Sequence, residues 1–138
     1  MNDSRLAEFA ASYTTAWCSQ NPAEVAGHYA ADGTLTINGG EPNTGRTALT
    51  EVAAAFMATF PDLLLEMESL VPEGDRIAYH WHLTGTNAGL EGVAGSRVSI
   101  SGVERWRFND QGLIHDSVGS FDAEDYARQM GTAHMGTT

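Results

Sequence analysis

The chain contains no lysine: its seven basic residues are all arginines, set against 18 acidic ones for a formal net charge of -11. That balance offers a phosphate backbone or an anionic lipid surface no electrostatic gain, so neither nucleic acid nor membrane is expected as a partner. Cysteine is almost absent as well. With Cys18 alone, an intrachain disulfide framework and the zinc-finger patterns are excluded. No apolar run approaches the ~18 residues of a membrane span, and the opening MNDSRLAEFA lacks the basic start and apolar stretch of an export signal. A reducing cytoplasm is the expected compartment. GEPNTGR lacks the lysine of a phosphate loop, and Cys18 has no evident base beside it, so it is expected to be inert. The 138 residues suit one domain, 1–138, with a core of its own.

What is present is a hydrophobic period that changes once. Leu6, Phe9, Ala10, Tyr13 and Trp17 recur every three or four residues and predict a helix over Asp3 to Ser19. NPAE predicts a second, short helix with Asn21 as N-cap, Pro22 in its first turn and Glu24 reaching back as a capping-box partner, carrying Val25 and Tyr29. TLTIN reads as a strand and GGEPNTGR as a loop. Leu49, Val52, Ala53, Phe56 and Phe60 make a third helical stripe, closed by Pro61. Beyond it the period is two. Leu63, Leu65 and Met67 share one strand face, and Ile77, Tyr79, Trp81 and Leu83 share another after the PEGD turn. Val98, Ile100, Gly102, Glu104, Trp106 and Phe108 follow on a third strand. NDQG predicts a hairpin turn, and Leu113, His115, Ser117, Gly119 and Phe121 are expected on one face of the last strand. Asp122 predicts the N-cap of a tail helix, AEDYARQM, with GTAHMGTT frayed beyond it. Helices first and consecutive antiparallel strands afterwards define an α+β class, with helices on one face of a curved sheet.

Two stretches carry a resemblance. FPDLLLEMESLVPEGDRIAYHWHLTGTNAG and SGVERWRFNDQGLI resemble the central run and final hairpin of the SnoaL-like polyketide cyclase branch of the nuclear transport factor 2-like superfamily. The resemblance implies a conical fold, three N-terminal helices packed on a strongly curved, mainly antiparallel sheet that encloses a pocket. It also implies a homodimer through the outer sheet face, with no cofactor and no metal. The fold hosts cyclases, isomerases, dehydratases and non-catalytic proteins, so activity has to be argued from the site.

Alignment with the ketosteroid isomerase branch implies oxyanion roles for Tyr13 and Glu104, with Tyr29 in support. The isomerases' proton-moving aspartate aligns instead with Ile37 or Asn38. Chemistry supports the oxyanion pair independently. A carboxyl between Gly102 and Trp106 on an apolar face loses hydration when ionised, so its pKa should rise, and a neutral carboxyl can donate; Tyr13 opposite could donate a second bond to an enolate oxygen. The bland alternatives are a structural Tyr–Glu hydrogen bond or a Glu104–arginine pair. His115 and Asp116 are alternative proton carriers: alternation sends His115 inward and Asp116 outward, and one bulge would reverse them. Asn38, Phe56, Phe60, Tyr79, Trp81, Trp106 and Ser117 are expected around a hydrophobic small-molecule ligand. His80 and His82 fall on the opposite face from Trp81 and are expected at a dimer contact rather than at a metal. The expected function is cofactor-free acid/base chemistry next to a carbonyl, of cyclase or isomerase type, or alternatively non-catalytic binding or dimerisation by the same fold.

Overall fold

The computed structural model describes residues 2–132. Met1 and residues 133–138 lie outside the described part, and with them most of the tail expected to fray. Helix α1 runs Asp3–Trp17 and starts where Asn2 accepts the Arg5 amide at 2.8 Å. Helix α2, Pro22–Ala26, is shorter than expected and has no capping box: the Asn21 side chain caps nothing, and the Glu24 amide bonds the Asn21 carbonyl instead. Tyr29 therefore leaves the helix and opens strand β1, Tyr29–Ile37. The expected loop contains a two-residue strand β2, Asn43–Thr44, paired with β1. Helix α3 is Arg46–Thr59. Strands β3 (Leu64–Glu73), β4 (Arg76–Thr86), β5 (Arg97–Phe108) and β6 (Ile114–Phe121) then form an antiparallel run, followed by helix α4, Ala123–Met130. No helix among the described residues is long and apolar enough to cross a membrane.

The six strands make one sheet in the order β2-β1-β6-β5-β4-β3, antiparallel except that β1 lies parallel to β6. It is curved and unclosed, with the helices packed on it, and its α+β class is the one the periodicity indicates. The turns follow their chemistry. Gly74 takes φ +64 between β3 and β4, Asn109 Oδ1 accepts the amides of Gln111 and Leu113 in the β5–β6 hairpin, and Asp122 caps α4 on the Asp125 amide. At the other end of α4, Gly131 is left-handed and the Thr132 amide bonds Ala127 O, so the first two residues of GTAHMGTT close the helix.

Two bulges change which side chains face inward. On β3 the register slips between Met67 and Ser69, which places Leu70 beside Tyr79 and leaves Met67 40% exposed at the rim. On β6, Phe108 pairs with Ile114 while Arg107 pairs with Asp116, so His115 is the extra residue. Ile114 and Ser117 are fully buried and His115 is exposed. The alternation expected through His115 is thus broken at that residue, and it resumes at Ser117 and Gly119.

One close approach sets the inner surface. Gly102 lies beneath Trp81 across the β4–β5 ladder, and a Cβ added there would stand 2.3 Å from Trp81 Cζ2 and 2.7 Å from Ser120 O. Gly102→Ala should therefore destabilise the fold by about 1–3 kcal/mol, the cost of overpacking, read as a lower urea midpoint with an unchanged slope. A midpoint equal to that of the parent chain would contradict this packing.

Candidate functional site

Glu104 is the only buried charged residue among the described residues, and every donor around it comes from a different place in the chain. Tyr13 on α1 donates to Oε1 at 2.9 Å and Oε2 at 3.1 Å, Tyr29 at the start of β1 reaches Oε1 at 3.3 Å, and Ser117 on β6 reaches it at 2.9 Å. Trp106, two residues along the same strand face, donates its indole Nε1 to Oε1 at 3.0 Å. The hydroxyls of Tyr13 and Tyr29 are also bonded to each other at 3.0 Å. Oε1 is thereby saturated, and Oε2 keeps spare lone pairs.

No arginine is among these partners. Burial pushes the Glu104 carboxyl above its ordinary value of 4.5, and the bonds from Trp106, Tyr13, Ser117 and Tyr29 only partly oppose the rise. Burial, followed by the nearby Glu104 charge, holds Tyr13 and Tyr29 well above 10.0, so both are neutral donors. The result is a carboxyl that can take or release a proton at one oxygen while its other oxygen is held fixed.

Glu104 forms part of the wall of a cleft between the helices and the concave sheet face. Trp17 from α1 and Val52 and Phe56 from α3 form one side; Leu35, Ile37, Leu65, Trp81, Leu83, Ile100 and Phe121 line the sheet side. The cleft gives the centre of a water-sized sphere about 60 Å³ of room, and it opens to solvent. Apart from Glu104, its wall is made almost wholly of hydrocarbon and indole, as in small-molecule sites.

The residues expected at the site divide into four groups. Phe56, Trp81 and Glu104 line the cleft. Tyr13, Tyr29, Trp106 and Ser117 stand behind the wall as the carboxyl's donors, which corrects the expectation that Tyr13 would itself reach a ligand oxygen. Tyr79 and Phe60 are core: Tyr79 bonds Thr14 Oγ1 at 2.5 Å and stacks on Trp106 at 4.6 Å, and Phe60 packs against Gly85.

The remaining three are elsewhere. His115 points to solvent from its bulge. Asp116 faces outward as well, paired with Arg76 Nη2 at 2.5 Å and with Thr34 Oγ1 at 2.6 Å, and these bonds hold its pKa low although partial burial, the largest single influence, raises it. Asn38, exposed and at φ +51, accepts the Phe121 amide at 2.9 Å and acts as a turn residue.

On the outer face His82 has a serine on each ring nitrogen, Ser101 at 2.8 Å and Ser99 at 2.9 Å. Cys18 exchanges weak bonds with the Leu65 backbone. Trp17 was not expected at the site, yet its signal was in the sequence: it follows Tyr13 by four residues, one helical turn along the same stripe.

Comparison with known proteins places these observations in a family. Among solved structures, a hypothetical protein with a ketosteroid isomerase-like fold from Catenulispora acidiphila, in complex with trimethylamine, superposes with a TM-score of 0.78 at 20% identity, covering 90% of this chain and 92% of that one. The epoxide hydrolase/cyclase-like enzyme SalBIII, described in pyran ring formation in the polyether salinomycin, gives 0.76 at 19% identity over 91% and 97%. TerC co-crystallised with polyporic acid gives 0.73 at 14% over 90% and 96%. At these identities the likeness shows the fold alone. No curated protein matches. The SnoaL-like domain model matches residues 10–116, which takes in the second half of α1, most of the cleft wall, Glu104 and its tyrosines, and on that match the chain belongs to the SnoaL-like domain family.

Proposed function

We propose that the protein is a cofactor-independent acid/base enzyme of cyclase or isomerase type, acting on a hydrophobic small molecule that carries a carbonyl group. The observation that carries this reading is Glu104: a buried carboxyl with raised pKa, one oxygen saturated by four donors and the other, reached by Tyr13 alone, keeping spare lone pairs, on the wall of an apolar cleft. Ionised, it is a stronger base than an exposed glutamate. It takes a proton from the carbon next to the carbonyl, and the electron pair moves onto the carbonyl oxygen as an enolate; in an isomerisation the enolate collapses as the proton returns at another carbon of the conjugated system, and in a cyclisation the enolate carbon adds to a second carbonyl carbon of the same molecule, whose π pair moves onto its oxygen and takes the proton there. Tyr13, Tyr29, Trp106 and Ser117 hold the carboxyl in place and stabilise its charge. The structural neighbours with small ligands, TerC with polyporic acid among them, support a small-molecule cleft.

A non-catalytic binding module is favoured by one observation: of Ile37 and Asn38, the two positions that align with the isomerase branch's proton-moving aspartate, Ile37 lines the cleft and Asn38 is an exposed turn residue, so neither puts a carboxylate there. We also include in the reading a homodimer through the outer sheet face, where Leu64, Val71 and Val118 are exposed and sit in register with outward-facing residues. Light scattering should give twice the 14.8 kDa of one chain, and a monomer at high concentration removes this part of the reading.

Deuterium entry from D₂O at the carbon next to the carbonyl of 1-tetralone, followed by NMR, separates enzyme from binder. The wild type should exceed buffer, Glu104→Gln should lose about 100-fold or more of the acceleration, and His115→Ala and Asp116→Asn should retain it. Exchange at the buffer rate with bound ketone supports the binding module.

Stability carries the same group's signature. Because the folded pKa of Glu104 is raised, its contribution is fully present below 4.5 and is lost as pH rises through the folded value. Asp62 and Asp116, with lowered values, act in the opposite sense, below 3.8. Urea midpoints should thus fall above pH 4.5 in the parent chain and fall less in Glu104→Gln. Parallel profiles for the two chains would refute the raised pKa.

A further inference from the structure

Tyr79 is buried behind the cleft wall, yet its ring meets two of the four donors that hold Glu104. On β4 it is the direct partner of Glu104 on β5, so the two side chains lie next to each other on the inner face, with Trp106 on the diagonal. The Tyr79 ring lies on the Trp106 indole at 4.6 Å and 18°, and stands edge-on to Tyr13 at 5.6 Å and 82°. An indole N–H points in the plane of its ring. Whatever fixes that plane in Trp106 therefore fixes where its hydrogen meets Glu104 Oε1.

The hydroxyl of Tyr79 supplies a second constraint. Thr14 Oγ1 donates to the Ala10 carbonyl at 2.8 Å, one turn back along α1, and a threonine has a single hydroxyl hydrogen. Tyr79 is therefore the donor in the 2.5 Å bond between the two hydroxyls. Burial, opposed by that bond and reinforced by the Glu104 charge, holds the Tyr79 hydroxyl well above its ordinary value, so the proton stays on it. Thr14 adjoins Tyr13, whose hydroxyl reaches both Glu104 oxygens. Helix α1 is thus fastened to the sheet at two neighbouring residues, Thr14 to β4 and Tyr13 to β5.

We propose that Tyr79 is a positioning residue for Glu104: its ring sets the plane of Trp106 and its hydroxyl, through Thr14, sets the seat of α1, so one side chain aims both the indole N–H and the Tyr13 O–H at the carboxyl. Its effect on rate rests on Glu104 being the proton carrier of the function proposed above, and its effect on the carboxyl itself does not. The sign follows from what the donors do. Trp106 and Tyr13 favour the ionised carboxyl and oppose the rise that burial imposes, so misaiming them raises its proton affinity further. The other titratable groups around this set are Tyr29, bonded to Tyr13 and Glu104, Cys18 beside Tyr79, and His28 edge-on to Tyr13. Arg46 bonds this set only at the Tyr29 backbone carbonyl, at 3.0 Å.

Carbon-13 titration of the glutamate carboxyls, with the Glu104 signal assigned by its loss in Glu104→Gln, reads that affinity without turnover. Tyr79→Phe and Thr14→Val should each raise it by about 2- to 10-fold, the span of one neutral hydrogen bond. The double variant should exceed neither, because both changes remove the same bond. Thr14→Ser keeps the acceptor and should restore the parent value. Tyr79→Leu removes the ring as well; it should raise the affinity further and move the Trp106 indole ¹H–¹⁵N signal upfield. Thr59→Val deletes a similar helix hydroxyl, bonded to Ala55 O at 2.8 Å in α3, and should lower the urea midpoint while leaving the carboxyl unmoved.

The pH at which ketone exchange rises should move up together with the Glu104 value. A merely structural Tyr79 would behave like Thr59, lowering stability with the carboxyl and the pH profile unmoved. That outcome, additive effects of Tyr79→Phe and Thr14→Val, or a lowered proton affinity would each overturn the proposal. Carboxyl shifts together with exchange at the buffer rate in every chain would keep the positioning role and reject the catalysis. Accelerated exchange with an unmoved carboxyl would do the reverse.

Discussion

The structure depends on a carboxyl that has no cation. Glu104 is taken out of water at the centre of the sheet, and what makes that tolerable is four donors drawn from α1, β1, β5 and β6. Each of those segments is fixed in part by its bond to the same oxygen. The tyrosine of the first helix reaches across 91 residues of sequence, and the serine of the last strand must face inward to complete the set. An ion pair would have neutralised the carboxyl and lowered its pKa. Neutral donors hold its position and leave its proton affinity high.

The arginines that could have served are spent on the opposite face. Arg76 pairs with Asp116, Arg105 with Glu73 and Arg107 with Asp75, all on the convex side or its rim. The sheet thus separates two electrostatic regimes by one residue of alternation: outside, half-exposed pairs of modest value; inside, one lone acid in hydrocarbon. The bulge at His115 preserves this separation. It absorbs the extra residue into solvent, so Ser117 stays on the acid's side and Asp116 on the arginine's.

This division explains how far the sequence could be read. Class, strand order from β3 onward, the hairpin turn and the Asp122 cap follow from period and turn chemistry, because those signals act over a few residues. Glu104 was legible as a buried acid because Gly102 and Trp106 flank it at period two, and Tyr13 because its stripe opposes that face. His115 was not, since a bulge arises from pairing with two neighbouring strands at once and leaves no trace in the period of one. The same holds for Tyr29: helix propensity carries the reading past Gly27, while tertiary pairing with Ile114 draws the residue into a strand. Placing Tyr79, Trp106 and Phe60 in the pocket wall was a difference of depth. Periodicity gives the face a residue lies on, not whether a neighbour covers it.

Gly102 shows how depth is set. With hydrogen as its side chain, the indole of Trp81 settles onto the backbone of β5, and the cleft above it gains the thickness that a methyl group would have occupied. A larger residue at 102 would lift the ring toward Trp17 and narrow the space between the two walls. The depth of the cleft is therefore governed from beneath its wall, by a position that does not itself line it.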